Sequence, residues 1–197
     1  MRREERFVVS TFQTEAVSAP KSENHLVSAT QYVRYGDRGF WTYDIILGVF
    51  LKYLIDVVEA TGFSRTSFLD ETVRHWRLAP IANFRLHLEK SWTALQRQNV
   101  IDFAKEACAR LATRESIPMQ EILGWPFFDG LHLFHRGLKE VRTGPVIELG
   151  GAFIDLLSDT LPEAPKGEAW FFTDTGRSTI GMRPDSQNPS SQGQAGQ

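Results

Sequence analysis

Between Asp44 and Glu59 almost every position is apolar, and the exceptions fall on one line: Asp44, Gly48, Lys52 and Asp56, with Glu59 beside it. Steps of four residues return to the same side of an α-helix, so Ile45, Ile46, Leu47, Val49, Phe50, Leu51, Leu54, Ile55, Val57 and Val58 cover the rest of its surface. A helix that is apolar over most of its circumference has to be enclosed on most sides, which commits the chain to a packed core around it. The polar line is expected to face solvent, with Lys52 and Asp56 as an i,i+4 pair, because such charges are rarely buried. A polar seam lining a pocket is the alternative.

The same segment is shorter than the roughly 20 apolar residues of a membrane span and carries Lys52 and Asp56 inside it, so no membrane association is expected. Near the N-terminus the apolar run Phe7-Val8-Val9 is too short for the core of an export signal. The one cysteine, Cys108, allows neither an internal disulfide nor a Cys-x-x-Cys site, and a reducing cytoplasm is the expected setting. With 197 residues, 42% of them hydrophobic, the chain is long enough for one substantial core. We expect a single globular domain over residues 1–184 and a disordered Pro, Ser, Gln and Gly tail over 185–197.

Along the chain, Arg6 to Gln13 alternates weakly and suggests a first strand. Leu26, Ala29, Thr30 and Val33 fall at helical spacing before Gly36, and the central helix is expected from about Trp41 to Ala60, closed by Gly62. Ser67 with Asp70 resembles a capping box opening a helix whose inner face is Leu69, Val73 and Trp76. Ala82, Phe84, Leu86 and Leu88 alternate with polar residues as a half-buried strand would, a continuing helix being the alternative. From Trp92 to Ala112 the period is helical, with Val100, Ala104, Ala107, Cys108 and Leu111 on one face, making Cys108 a core thiol.

Ser116-Ile-Pro-Met suggests a short helix ending near Gly124. Thr143-Gly-Pro145 opens another, with Val146, Leu149, Phe153, Leu156 and Leu157 facing inward. Its Gly150-Gly151 pair costs about 1 kcal/mol per glycine in helix propensity, which close packing against a neighbour would offset. Glu168–Thr173 and Ser178–Met182 flank Asp174-Thr-Gly-Arg177 as a hairpin would, Trp170 and Phe172 sharing a face. The fold class expected from this pattern is mostly α, or α+β if the strand candidates near Val8, Leu86, Phe171 and Ile180 join in a small antiparallel sheet.

Catalytic motifs are scarce. Asp129, His132 and His135, spaced by three, could gather a carboxylate and two imidazoles around Zn²⁺, Fe²⁺ or Mn²⁺, with His87 or His75 completing the set. Surface histidines on a polar edge explain the same residues, and His-x-x-His is less specific than His-Glu-x-x-His. Glu71 and His75, one helical turn apart, could form a general base, although ordinary pairing on a helix face accounts for them and no nucleophile is tied to them. Ser18-Ala-Pro-Lys21 matches Ser-x-x-Lys by chance in a loop. No Walker loop, Gly-x-Ser-x-Gly elbow or Gly-x-Gly-x-x-Gly is present, and no motif calls for a cofactor.

The formal net charge of -2 gives no overall attraction to nucleic acid, but its distribution is uneven. Arg65, Arg74, Arg77, Arg85, Lys90 and Arg97 make residues 64–98 basic, whereas Glu140, Glu148, Asp155, Asp159, Glu163, Glu168 and Asp174 make the later region acidic. Two solvated surfaces that attract each other across the fold are the plainest explanation. A basic face carrying Trp76 and Trp92 could instead follow a nucleic-acid backbone, and an acidic face could mask a basic partner.

Size, 12% aromatic residues and the lack of catalytic motifs favour a non-enzymatic cytoplasmic module that binds another protein, of the neutralising, immunity-like or adaptor kind, through Asp155, Asp159 and Glu163. A metal-dependent hydrolase or oxygenase built on Asp129, His132 and His135 is the second reading.

Overall fold

The computed structural model describes residues 30–62, 68–81, 86–126, 133 and 137–182. Within them lie seven strands and five helices. The strands are β1 (Thr30–Tyr35), β2 (Arg38–Tyr43), β3 (Leu86–His87), β4 (Ser116–Pro118), β5 (Glu140–Arg142), β6 (Glu168–Thr173) and β7 (Gly176–Gly181). The helices are α1 (Asp44–Ala60), α2 (Phe68–Leu78), α3 (Ala94–Leu111), α4 (Met119–Leu123) and α5 (Thr143–Leu157).

Five strands form one mixed sheet in the order β3-β1-β2-β6-β7, and β4 pairs with β5 in a separate two-stranded sheet. The fold is therefore α+β, which overturns the expectation of a mostly α chain. The correction comes chiefly from residues 30–43. Thr30 and Val33, expected in a helix, and Trp41, expected to start the central one, lie instead on the two strands of an antiparallel hairpin. Tyr32, Val33, Tyr35, Phe40, Trp41, Thr42 and Tyr43 are β-branched or aromatic residues that suit a pleated surface. Gly36 takes φ +66 as the first residue of the two-residue turn, the position where a type II′ hairpin uses glycine. The sheet is also larger than the expected one and contains parallel pairs, β1 with β3 and β2 with β6.

Register sorts the sheet into two faces. Gln31, Val33, Phe40, Thr42, Leu86 and Phe172 share the inner face and are buried. Against that face lie α1 and α5; α3 packs on both of those helices and α2 on α1. The central helix is enclosed as expected, with twelve residues buried from Asp44 through Val58. The expected inner residues of α5, Val146, Leu149, Phe153, Leu156 and Leu157, are all buried as well. The helix starting at α3 has a capping box, in which the Thr93 hydroxyl accepts the Gln96 N–H and the Gln96 side chain accepts the Thr93 N–H at 2.8 Å.

Two glycines are packing notches. A Cβ on Gly150 would run into Cys108 Sγ and come within 2.9 Å of Phe50, so the helix-propensity cost there is offset by close contact of α5 with α3 and α1, whereas Gly151 faces open space. A Cβ on Gly48 would lie 2.5 Å from Leu133, whose buried side chain fills the notch. Three junctions, Tyr43 into α1, Pro118 into α4 and Arg142 into α5, pass from extended backbone straight into helix with no side-chain cap. At the last two the backbone crosses over, Met119 N–H bonding Lys139 O at 2.9 Å and Thr143 N–H bonding Glu115 O at 3.0 Å.

The polar line of α1 is graded rather than uniformly exposed. Asp44 is 3% exposed, its Oδ1 accepting the Ile45 N–H at 2.9 Å. Gly48 is closed by Leu133, and only toward the C-terminus do Lys52 and Asp56 form the expected ion pair at 2.5 Å, with Lys52 Nζ 5.6 Å from the centre of the Trp125 ring. Glu59 pairs with Arg77. Of the strand expected from Ala82 to Leu88, Leu86 and His87 form β3, with Leu86 buried; residues 82–85 lie outside the described residues. The expected strand at Arg6–Gln13, the Ser67 cap and the tail also lie outside them.

Candidate functional site

Asp129, His132 and His135 lie outside the described residues, as does the side chain of His87. Among the described residues no group of three His, Cys, Asp or Glu side chains could hold a metal ion. The basic and acidic regions do not neutralise each other: among the described residues Arg77 pairs with Glu59, Lys90 lies 3.9 Å from Asp37, and Arg97 donates to the Tyr35 hydroxyl at 3.2 Å. The attraction across the fold expected between the two regions is thus absent from the described ion pairs.

Asp155, Asp159 and Glu163 all follow from the end of α5. Asp155 accepts from the Thr160 side chain and, through its carbonyl, from the Thr160 N–H at 2.8 Å, which closes the helix. Asp159 stands at φ +60, and its carboxylate and carbonyl accept from Arg38 at 3.0 and 3.2 Å. This bridge ties the end of α5 to the start of β2. Glu163 is exposed in the following Pro-containing segment.

That segment walls a groove of about 440 Å³ at the turn end of the large sheet. Its floor is Tyr32, Gly39 and Ala169, its charged rim Asp37, Arg38, Glu163, Lys166 and Glu168. Two of the three acidic residues singled out from sequence are therefore at this groove, Glu163 on its wall and Asp159 through Arg38. The wall is held by Trp170, whose indole N–H donates to Pro162 O at 2.8 Å while the Arg177 guanidinium lies 4.9 Å from its ring centre.

From the groove the outer face of the sheet runs on without a covering helix among the described residues. Tyr32, Trp41 and Phe171 stand opposite one another across β1, β2 and β6, and all are partly exposed. Tyr32 and Trp41 rings meet at 4.9 Å, Tyr43 and Phe171 edge to face at 5.0 Å, and Ile180 on β7 adds a side chain that is 42% exposed. Gly39 has no room for a side chain: a Cβ there would run into the Val33 carbonyl oxygen and lie 2.8 Å from the Tyr32 side chain. Sequence reasoning missed this aromatic face. Its signal was the alternation in 30–35 and 38–43 about Gly36-Asp37, a hairpin pattern obscured by the helical spacing of residues 26–33.

The remaining charge chemistry is structural. Arg114 grips Glu121 through two bonds of 2.6 and 2.7 Å, holding the carboxyl below its usual range and the guanidinium above its own. Burial pushes the Cys108 thiol up to about 11, so it is no nucleophile near neutral pH. The Gln31 Nε2, on the inner face, is buried without a hydrogen-bond partner. No helix among the described residues is long and apolar enough to cross a membrane. Comparison with protein families, curated proteins and solved structures returned no match.

Proposed function

We propose that this chain is a protein-binding module whose contact surface is the outer face of the large sheet together with the groove at its turn end. The observation that carries this reading is the row Tyr32, Trp41 and Phe171, aromatic, partly exposed and on a face that no helix of the described residues covers. Aromatic side chains are enriched in the centres of protein interfaces because they bury large areas with little loss of rotamer freedom. Asp159 and Glu163 extend this surface as its charged rim, where they favour encounter with a basic partner and set salt dependence more than affinity. Neutralisation or adaptor activity, as expected from the sequence, would follow from occupancy of this surface.

The test is capture with matched variants. A partner retained by the full chain should be lost with Tyr32→Ser/Trp41→Ser and weakened by Asp159→Lys/Glu163→Lys in a salt-dependent way, but kept by Arg74→Ser on the exposed side of α2. Equal retention by the aromatic double variant, shown to be folded by its melting curve, would refute this surface.

A further inference from the structure

A second concavity, separate from the sheet face, lies where α2 meets the turn leading into α3. It has a volume of about 450 Å³, within the range of small-molecule sites. Phe68, Glu71, His75, Trp76, Glu89 and Trp92 give it its chemistry. The Phe68 and Trp92 rings meet edge to face, with centres 6.2 Å apart and planes at 72°, and both are partly exposed. Trp76 beside them is 1% exposed, so it is a fixed wall.

Two carboxylates line the cavity from separate segments, Glu71 on α2 and Glu89 before α3, and neither has an ion-pair partner among the described residues. Among the described residues no lysine or arginine lines it. The Glu71 and His75 side chains, one turn apart, do not form an ion pair, so the general-base arrangement is not assembled here. An anion would face two like charges, and a neutral apolar ligand would have to strip water from both carboxylates without replacing it. A metal ion finds no set of three donors among the described residues. An organic cation suits all the features together: the carboxylates neutralise its charge and the ring faces attract it.

We propose that this cavity binds a small organic ammonium ligand, held by Glu71 and Glu89 and seated against the rings of Phe68 and Trp92. The same chemistry could be presented by a free amine or by a lysine side chain of a peptide, and the experiment separates the two.

The full chain is titrated by calorimetry and tryptophan fluorescence with choline, with n-butylammonium, with 3,3-dimethylbutanol as choline's uncharged isostere, and with a short lysine-bearing peptide. Saturable binding of at least one ammonium probe, about tenfold or more tighter than the uncharged isostere, is the expected result. Glu71→Gln/Glu89→Gln should weaken it by about tenfold or more, and Trp92→Leu should weaken it while the melting curve shows an intact fold. If the peptide binds more tightly than the free amines, the cation site stands and its natural source is a partner's lysine. Absence of saturable binding at millimolar concentrations of every ammonium probe, or equal binding by the folded carboxamide double variant, overturns the proposal. The sheet-face surface is untouched by these variants, so either site can fail without the other.

Discussion

The carboxylate of Glu148 on α5 accepts the backbone N–H of Arg177 on β7 at 2.9 Å and lies 3.7 Å from that residue's guanidinium. The register explains why the bond is available. Met182 N–H bonds Gly167 O, so the pair Glu168 and Gly181 is of the non-hydrogen-bonded kind and Arg177, Thr179 and Gly181 turn their backbone groups away from β6. Gly176, at φ +113, leaves room for the carboxylate, since a Cβ there would lie 2.9 Å from Glu148 Oε2. An edge strand exposes a row of unpaired backbone groups to other chains, and this clamp occupies the row at its start.

Glu148→Ala should therefore speed hydrogen exchange of the Arg177 amide and cost about 1 kcal/mol of stability, while Glu148→Gln, which keeps an acceptor, should preserve most of the protection. Amide exchange followed by NMR reads both. Unchanged exchange in the alanine variant would mean that the edge is protected by something else.

Gly150 and Gly151 are neighbours in one helix with opposite expectations. Gly150→Ala should destabilise by about 1–3 kcal/mol because its methyl group meets Cys108 and Phe50. Gly151→Ala, opening onto free space, should stabilise by about 0.5–1 kcal/mol through reduced chain entropy in the unfolded state. Denaturant midpoints of the two variants decide the matter, and a shift of the same sign in both would contradict the packing described for α5.

The Cys108 thiol sits at about 11 against an ordinary 9.0, because burial penalises the thiolate. Between those two values the unfolded chain has lost a proton that the folded chain retains. Stability from this group is complete below about pH 9 and declines as pH rises toward 11. Melting curves of the parent and Cys108→Ala across this window should converge as the pH increases. Thiol alkylation of the folded protein at pH 8 should be slow until denaturant is added.

Glu121 has the opposite sign. Its carboxyl is held below the ordinary value by the two bonds from Arg114, so the stabilisation is present above pH 4.5 and is lost as pH falls through the depressed folded value. Arg114 and Glu121 are 35% and 39% exposed, and solvent screening limits the pair to about 0.5–1 kcal/mol. Glu121→Gln should flatten the acid limb of the stability profile measured by chemical denaturation. An acid limb of unchanged slope would show that the pair contributes nothing measurable.

The helices were legible because burial imposes a period that survives in the residues. The continuous apolar cover of Ile45 to Val58 and the spacing of Val146, Leu149 and Phe153 could serve only buried faces. The packing role of Gly150 was legible too, from the helix-propensity cost of the glycine pair, although Gly151 faces open space and has no such role. The sheet was not, for local reasons. In β1 the inner positions Gln31 and Val33 mix polar with apolar residues, so alternation is weak, and Thr30 and Val33 fit a helical period by accident. The strands β4 and β5 have three residues each, too few to show any period, and β4 overlaps residues that introduce a helix. The candidate surface escaped for the same reason: Trp41 and Phe171 become neighbours only through parallel pairing of strands more than a hundred residues apart.

The strand β2 carries Trp41 on the outer face and passes at Tyr43 directly into α1, with no loop between them. Trp41 therefore belongs, mechanically, to the most deeply embedded stretch of the chain. A molecule that docks on it meets a surface already in its final shape, so little ordering entropy is lost on contact and the helical content stays constant. Affinity changes from substitutions at Trp41 should then appear in the rate of release more than in the rate of encounter. On the proposed contact surface Trp41 is an extension of the core, and its rigidity comes with folding itself.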